Sequence, residues 1–438
     1  MFAGARARNK RDIVESAQSI SPDSALTERA ELALDFGRLL FRFGASTQRI
    51  IDSMELLYRR MGGGRLEVLV AYDAITVTAS EGARLCTEID ASREVAGTNI
   101  HGLGQIRRML AAESDSWTVE SCRARIAEIA NTPEMAAVFP WKWLAAGAAS
   151  AGFCAFNGGD APAIGIAAVV ALVIFAVRFA MLRKKFTVYL ATLGSVCIGG
   201  LMAATAARLG WSRIPEVAFV APVLFLVPGV PMITGGIDIA RNHNSVGLAR
   251  IAYTLTLTAT LALGLAFSIP LIAGLPMPPV PASHSWATPF VGAAWGALAA
   301  AGLALINNGR WRAIVVCALC GASARLVREG GVDLGLDIAP ATLLAAVATT
   351  LLAIRVSRWH RMPSAVVAVM GCLTLIPGYF AIVGARAMFD LSVRGAKMPW
   401  PEAAHGFQML LQAVFIAIAI IFGIIFTSMA VERAAPRV

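Results

Sequence analysis

The stretch Leu224–Arg250, LFLVPGVPMITGGIDIARNHNSVGLAR, decides the fold. It lies among long apolar runs, yet it holds Pro228, Pro231, Gly229, Gly235, Gly236 and an acid, Asp238. Each proline removes a backbone donor and clashes with the preceding turn. Gly229 lets the chain bend. The stretch therefore predicts two half-helices meeting at mid-depth in a membrane. Pro231 suits the first turn of the second half-helix, whose leading N–H groups are unpaired and carry partial positive charge. Such an end attracts a carboxylate. Unpaired backbone is tolerated at that depth only where protein covers it or where it lines a wet cavity.

The device recurs. LVPGVPMITG (226–235) and LIPGYFAIVG (375–384) match at Leu226/Leu375, Pro228/Pro377, Gly229/Gly378, Ile233/Ile382 and Gly235/Gly384, all at one offset of 149 residues. Each Pro-Gly falls in the fourth span of a set of five. Five is odd, so the second copy enters the membrane the other way up. That predicts an inverted repeat, an architecture of secondary transporters.

The totals agree with a membrane protein. The chain has 438 residues, of which 57% are hydrophobic and 15% charged, too apolar for one soluble domain. Apolar runs of about 20 residues read as spans. They fall near 143–157, 163–181, 187–208, 216–240, 246–268, 287–306, 312–328, 339–356, 364–389 and 404–430. The net charge of +10 belongs to the membrane half: residues 1–141 hold 17 basic and 19 acidic side chains, residues 142–438 hold 21 and 9. This distribution excludes nucleic acid as the partner and makes the basic residues orientation signals. Arg183, Lys184, Lys185, Arg241, Arg250, Arg310, Arg312, Arg355, Arg358 and Arg361 fall on one side. Fewer, Arg208, Arg213, Arg328, Arg394 and Lys397, fall on the other. Both termini are then expected in the cytoplasm. Pro140-Trp141-Lys142-Trp143 marks a water–membrane boundary, and the proline-rich 269–286 reads as an external linker between two sets of five.

Ahead of the spans, residues 1–22 read as a flexible tail and 23–136 as a cytoplasmic α/β domain. Two helices, the second capped by Thr47, precede β-type runs at 66–72, 74–80 and 84–89, and two further helices follow. The membrane repeats are placed at 143–268 and 287–430. No basic, apolar leader of secretory type opens the chain.

Ionisable groups at membrane depth are costly, so they are candidates for function. Asp238 is the first candidate proton carrier, with Asp390 second; Arg386, one turn before Asp390, can pair with it. Arg325 falls inside the seventh span. The substrate-binding set is Pro228, Gly229, Pro231, Gly235, Pro377, Gly378, Arg325 and Arg386. Arg178 reads as an interface anchor and Asn157-Gly158-Gly159-Asp160 as an outer turn. Cys317 and Cys320 read as small packing residues rather than a metal or redox site. Gly102-Leu103-Gly104 reads as a plain loop. His101, Arg49 and Asp52 are available polar groups, and a single His beside a Gly-rich turn reads as a surface residue. No GxSxG, HExxH or phosphate-loop motif is present, so the sequence points to neither an enzyme nor ATP as the energy source, and it implies no cofactor.

At LVPGVPMITGGIDIARNHNSVGLAR the chain resembles the threonine/serine exporter family of bacterial inner-membrane proteins, through Pro228, Gly229, Pro231, Asp238, Gly247, Ala249 and Arg250. GRLLFRFGASTQRIIDSMELLYRRMG followed by AITVTAS resembles the family's cytoplasmic domain. CALCGASARLVREGG and LIPGYFAIVGARAMF resemble its shorter membrane domain. Gly235-Gly236 departs from the pattern, where relatives carry an Asn before a small residue. The resemblance implies a ten-span exporter driven by proton motive force. Threonine or serine is the preferred cargo, with succinate or another C4-dicarboxylate, the cargo of two-chain relatives, the alternative. Its partners are then a small-molecule substrate, protons and the bilayer, with a homo-oligomer left open. A passive channel, or a sensor or enzyme using the soluble domain, are the rival classes.

Overall fold

The computed structural model describes residues 24–91, 97–112, 117–131, 139–268, 271, 288–360 and 364–434. The tail expected at 1–22 and nearly all of the 269–286 linker lie outside these residues.

Helices α1 (Ser24–Arg42) and α2 (Thr47–Arg60) cross closely where Gly37 meets Met54; a Cβ on Gly37 would sit 2.3 Å from the Met54 sulfur. Strands β1 (Arg65–Val70), β2 (Ile75–Glu81) and β3 (Arg84–Asp90) form an antiparallel meander, with Val68 opposite Val77 and Val77 opposite Glu88. In β2 the buried residues Ile75, Val77 and Ala79 alternate with less buried ones, the period of a sheet with one covered face. They join Phe36, Leu40, Ile50, Met54 and Leu57 in a hydrophobic core separate from that of the spans. Each fully buried aliphatic side chain there contributes roughly 1.5–3 kcal/mol. Helices α3 (Ile100–Ala111) and α4 (Val119–Asn131) complete this unit. Asn99 caps α3 by accepting the Gly102 N–H at 2.9 Å. The expectation of a loop at Gly102-Leu103-Gly104 is corrected: all three are helical, and Gly102 lets the Phe43 ring pack where a Cβ would lie 2.3 Å away.

The apolar helices follow: α5 (Phe139–Phe156), α6 (Ala161–Arg183), α7 (Val188–Arg208), α8 (Pro215–Val220) running into a 3-10 turn (Ala221–Leu226), α9 (Gly229–Ala240) and α10 (Asn244–Ala266). After the linker come α11 (Thr288–Ile306), α12 (Trp311–Asp333), α13 (Ile338–His360), α14 (Ser364–Cys372) with its 3-10 turn (Leu373–Leu375), α15 (Gly378–Arg394) and α16 (Trp400–Ala434). Among the described residues six helices are long and apolar enough to cross a membrane, or eight if each bent pair is one span. Helices α5 and α12 fall short of that description. The first begins with Pro140-Trp141-Lys142-Trp143, and the second carries Arg325, Arg328 and Glu329. The chain is a polytopic helical membrane protein.

Close helix crossings use small residues, as expected where lipid offers no hydrophobic drive to association. A Cβ on Gly152 of α5 would come 2.7 Å from the Trp295 carbonyl, and one on Gly302 of α11 would come 2.7 Å from the Ala145 carbonyl. Hydroxyls return to the backbone: Thr254, Thr350 and Thr427 each donate to the carbonyl four residues earlier, at 2.7–2.9 Å. Exposed Trp141, Trp211, Trp311 and Trp400 stand at helix ends, where indoles favour the water–membrane interface.

Candidate functional site

Both prolines act as expected. The first broken span bends by 62° between Leu226 and Gly229, the second by 49° between Leu375 and Gly378. Pro228 and Pro377 occupy the N-cap positions of α9 and α15, and neither makes a side-chain cap bond. In α15 the leading N–H groups are left without intrahelical acceptors, whereas in α9 Gly229 donates to the Val227 carbonyl at 2.7 Å and Pro231 has no N–H.

The two breaks touch. A Cβ on Gly229 would meet Ile376 Cδ1 at 2.0 Å and Leu373 Cδ2 at 2.9 Å. One on Gly378 would meet Leu224 Cδ2 at 3.2 Å and Val227 Cγ2 at 3.3 Å. Leu373 and Ile376 stand 149 residues after Leu224 and Val227, the offset that relates the glycines. Each glycine therefore packs against the other's equivalent partners.

Beside this contact lies a small cavity of about 30 Å³. Gly378, Tyr379 and Phe380, the first turn of α15, line it together with Arg325, Arg328, Thr374 and Asn157. Arg325 is 1% exposed. Its Nη2 donates to the Phe156 carbonyl at 3.0 Å, its guanidinium lies 3.9 Å above the Phe156 ring centre, and it pairs with Glu329. Its Nε and Nη1 have no hydrogen-bond partner. A buried donor without an acceptor is costly, and here it borders a cavity beside a positive helix end. Gly296 makes room for the arginine, since a Cβ there would lie 2.4 Å from Arg325 Cγ. Arg328 is committed differently: its Nη1 donates to the Leu375 carbonyl at 3.4 Å and its Nη2 lies 3.6 Å from Glu329. It thus ties down the carbonyl left bare at the end of the first half of the broken span.

Two charge assignments need correction. Arg328, expected in an outer loop, lies buried inside α12, which continues to Asp333. Arg250, expected on a solvated flank, is 2% exposed inside α10 and faces Asp238, itself 0% exposed. Their Nη1 and Oδ2 approach to 3.1 Å, an ion pair not aligned as a hydrogen bond. Asp238 Oδ1 accepts the Thr47 N–H at 2.9 Å. The expected cap of α2 by Thr47 is thereby corrected. Ser46 holds the N-cap position without a side-chain bond, and the acceptor for the helix end comes from Asp238, far away in sequence.

Asp238 does not line the cavity. Pro231 borders a separate small cleft with Val230, Thr234 and Arg250, and Gly235 packs on α10, where a Cβ would lie 3.0 Å from the Gly247 carbonyl. Arg386 and Asp390 stand 3.9 Å apart, with Arg386 5.8 Å from the Phe219 ring. Glu216 at the start of α8 lies within electrostatic range of Arg386 and His405, and Tyr379 within range of Glu216. Asp160 caps α6 and also accepts from Ser212 at 2.8 Å and from the Arg213 N–H at 2.9 Å. Burial opposes its ionised form, but these bonds outweigh it and hold the carboxyl below its ordinary value. Arg178 donates to Thr192 at 3.2 Å, and Cys317 and Cys320 are buried in α12.

The sequence singled out Arg325 and Gly378 of this cavity. It missed Asn157, Thr374 and Tyr379, which are ordinary polar residues in apolar runs. It also missed Glu216, whose signal was its position one residue into a proline-led half-helix.

Comparison with known proteins matches residues 31–272 to the family described as "Putative threonine/serine exporter" and residues 293–430 to "Threonine/Serine exporter, ThrE". The probable succinate transporter subunit YjjP of Escherichia coli (strain K12) is 24% identical over 246 residues, covering 54% of this chain and 92% of that protein. Its namesake in Klebsiella aerogenes is 23% identical over 247 residues, with 54% and 92% covered. No solved structure matches the chain.

Proposed function

Because the chain belongs to the threonine/serine exporter family, we propose that it is a secondary transporter exporting a small carboxylate-bearing metabolite across the bacterial inner membrane. The observation that carries this reading is Arg325, a buried cation with two unpaired donors beside the N-terminus of α15. A planar guanidinium offers a carboxylate two parallel bonds, and the helix end adds unpaired N–H groups.

The architecture we propose is a cytoplasmic α/β domain at 23–136 and two inverted five-helix repeats at 143–268 and 287–430. Helices α5 and α12 bring the spans to ten. The reciprocal packing of Gly229 and Gly378 supports the repeat. Rocking of one repeat against the other would alternate access to the cavity. Pro228, Gly229, Pro377 and Gly378 shape the break and Arg325 holds the carboxylate. Both oxygens of Asp238 are engaged, which favours the Glu216, Arg386 and Asp390 cluster as the proton path. With both termini cytoplasmic, α9 descends toward the α/β domain and α15 toward the outside.

Threonine or serine is the cargo the family name suggests. A second reading, a C4-dicarboxylate, is favoured by a cavity lined by two arginines and by no Asp or Glu; an amino acid's ammonium would need a carbonyl instead. The relatives named as succinate transporter subunits point the same way. The test is counterflow of labelled threonine, serine and succinate in proteoliposomes of the purified chain. One of the three should exchange saturably, and a proton uncoupler should abolish uphill accumulation. Exchange of none refutes transport of this class, and flux indifferent to the uncoupler indicates a channel. Glu216→Gln should leave counterflow intact while removing the uncoupler effect.

A further inference from the structure

We propose that the α/β unit is the gate on its own side of the membrane, with the Asp238–Arg250 pair as its latch. The inference rests on the transport reading but draws on a different set of contacts. Four of them join the α/β unit to α9, α10 and the turn between them, three of these at Ala45, Thr47 and Gln48 around the start of α2. Asp238 supplies the acceptor that the Thr47 N–H lacks locally. Arg250 Nη2 donates to the Ala45 carbonyl at 2.8 Å, and its guanidinium lies 5.6 Å from the Phe41 ring centre. His243 Nε2 meets Gln48 Oε1 at 3.0 Å. Val246 of α10 belongs to the hydrophobic core of the α/β unit. A fifth contact reaches the second half of the chain, where the Ile100 N–H donates to the Asn307 carbonyl at 3.1 Å.

These contacts seize the moving part. Helix α9 starts at the break, against Ile376, and its 12 residues end in the latch. At about 1.5 Å per residue it is a lever of roughly 18 Å joining the central contact to the α/β unit. Alternating access requires that lever to move, and it cannot swing while Asp238 holds Thr47 and Arg250 holds Ala45. A narrow cleft, about 10 Å³ as it stands, lies beside it, between Gly44, Tyr72 and Gly97 of the α/β unit and Pro231, Thr234 and Arg250 of the membrane helices. Arg250 borders that cleft with Nε unpaired. A carboxylate that wedges this cleft open finds a free donor, Nε, on the guanidinium that also pairs with Asp238. Its binding competes with the ion pair, loosens Asp238 and with it the cap of α2, and lets the unit lift. Asp238 is then a positioning residue that acts on the gate through Thr47 and Arg250, touching neither substrate nor proton.

The test measures access, not transport, so it stands apart from the fate of the cargo assignment. Thr374, buried on the cavity wall, is replaced by cysteine in the full chain. Labelling by a membrane-impermeant maleimide is followed at the 374 peptide by mass spectrometry, in vesicles exposing either face. Asp238→Asn, which removes the ion pair and the charge on the Thr47 acceptor, and Arg250→Lys, which removes the guanidinium bond to Ala45, should each speed labelling from the α/β side by about tenfold, the ratio expected when one charged contact is weakened. They should leave the opposite face unchanged or slower. Gln48→Ala, at the half-buried rim of the contact, leaves the buried pair intact and should give a smaller rise from the same side, so the prediction survives if the pair variants do not fold. Rates unchanged in every variant that elutes as native overturn the latch. So does an equal rise from both faces, which would report general loosening of the bundle.

Discussion

Arg325→Lys tests the carboxylate site most directly. The substitution keeps a positive charge in α12 and so keeps the partner of Glu329. It removes the guanidinium plane that lies on Phe156 and the two donors left free, Nε and Nη1. A substrate carboxylate bound by both loses at least one charge-assisted hydrogen bond, about 1.5–3 kcal/mol. That corresponds to about a 10- to 150-fold rise in KM. The assay is initial-rate counterflow of the exchanged substrate in proteoliposomes, with Tm of the detergent-solubilised protein as the control for folding. Arg328→Lys is the matched comparison. Arg328 is spent on the Leu375 carbonyl and Glu329, so its loss should lower Tm and move KM less. A KM within about twofold of the parent for Arg325→Lys, in protein of unchanged Tm, would refute the reasoning, because no bidentate contact worth that energy could then exist. Removing the charge altogether, as in Arg325→Gln, is a poorer test: it takes from Glu329 its closer cation and leaves Arg328 at 3.6 Å, a loss of pairing that is felt whatever the substrate does.

The contact between the breaks should be sensitive to one methyl group. Gly229→Ala places a Cβ 2.0 Å from Ile376, whereas Gly378→Ala meets its neighbours at 3.2 Å; the first should cost about 1–3 kcal/mol and the second less, and trimming Ile376 to Ala should rescue the first, all read as Tm. His101 gives a pH dependence. Burial first, then Arg310 and Arg108, hold its imidazole below its ordinary value. The unfolded chain then binds the proton more readily, so this contribution to stability is complete above about pH 6.5 and is lost as the pH falls through that value toward the folded pKa. The transition of the α/β unit should drop on acidification to about pH 5.5, and His101→Gln should flatten the response.

The broken spans were legible because Pro-Gly in an apolar run has few physical meanings. The sequence placed Gly229 and Gly378 at the breaks, and α9 and α15 begin there. Arg325 was legible because a cation in the middle of a span is expensive and must face something polar. Arg328, three residues on, was misread because the expected span stopped at it; the helix runs a further turn, and Glu329 with a bare carbonyl satisfies the charge. The pairing of Asp238 with Thr47 was invisible for another reason. It joins residues 191 apart, and no local pattern announces which helix end lacks a cap. Thr47 looked self-sufficient, since its own side chain could have capped α2. The tertiary contact displaced that local solution.

The site joins a symmetric pivot to asymmetric attachments, and the difference bears on mechanism. At the pivot the partners of Gly229 and Gly378 are related by the one offset of 149, although Gly229 sits closer to Ile376 than Gly378 does to Leu224. Two arrangements close in energy are what alternating access needs. The charged groups break the equivalence. The position matching Arg325 in the first repeat is Ala176, and those matching Asp238 and Arg250 in the second are Ala387 and Pro399. The broken helices therefore differ in their surroundings: the first turn of α15 lines a cavity with Arg325, which pairs with Glu329, whereas α9 carries Asp238, which pairs with Arg250 and accepts the Thr47 N–H. In the proposed mechanism a carboxylate site on one arm and a releasable lock on the other let the substrate decide when the lock opens. The balance between the two proposed arrangements would then be set by the contacts that differ, at Arg325 and at Asp238.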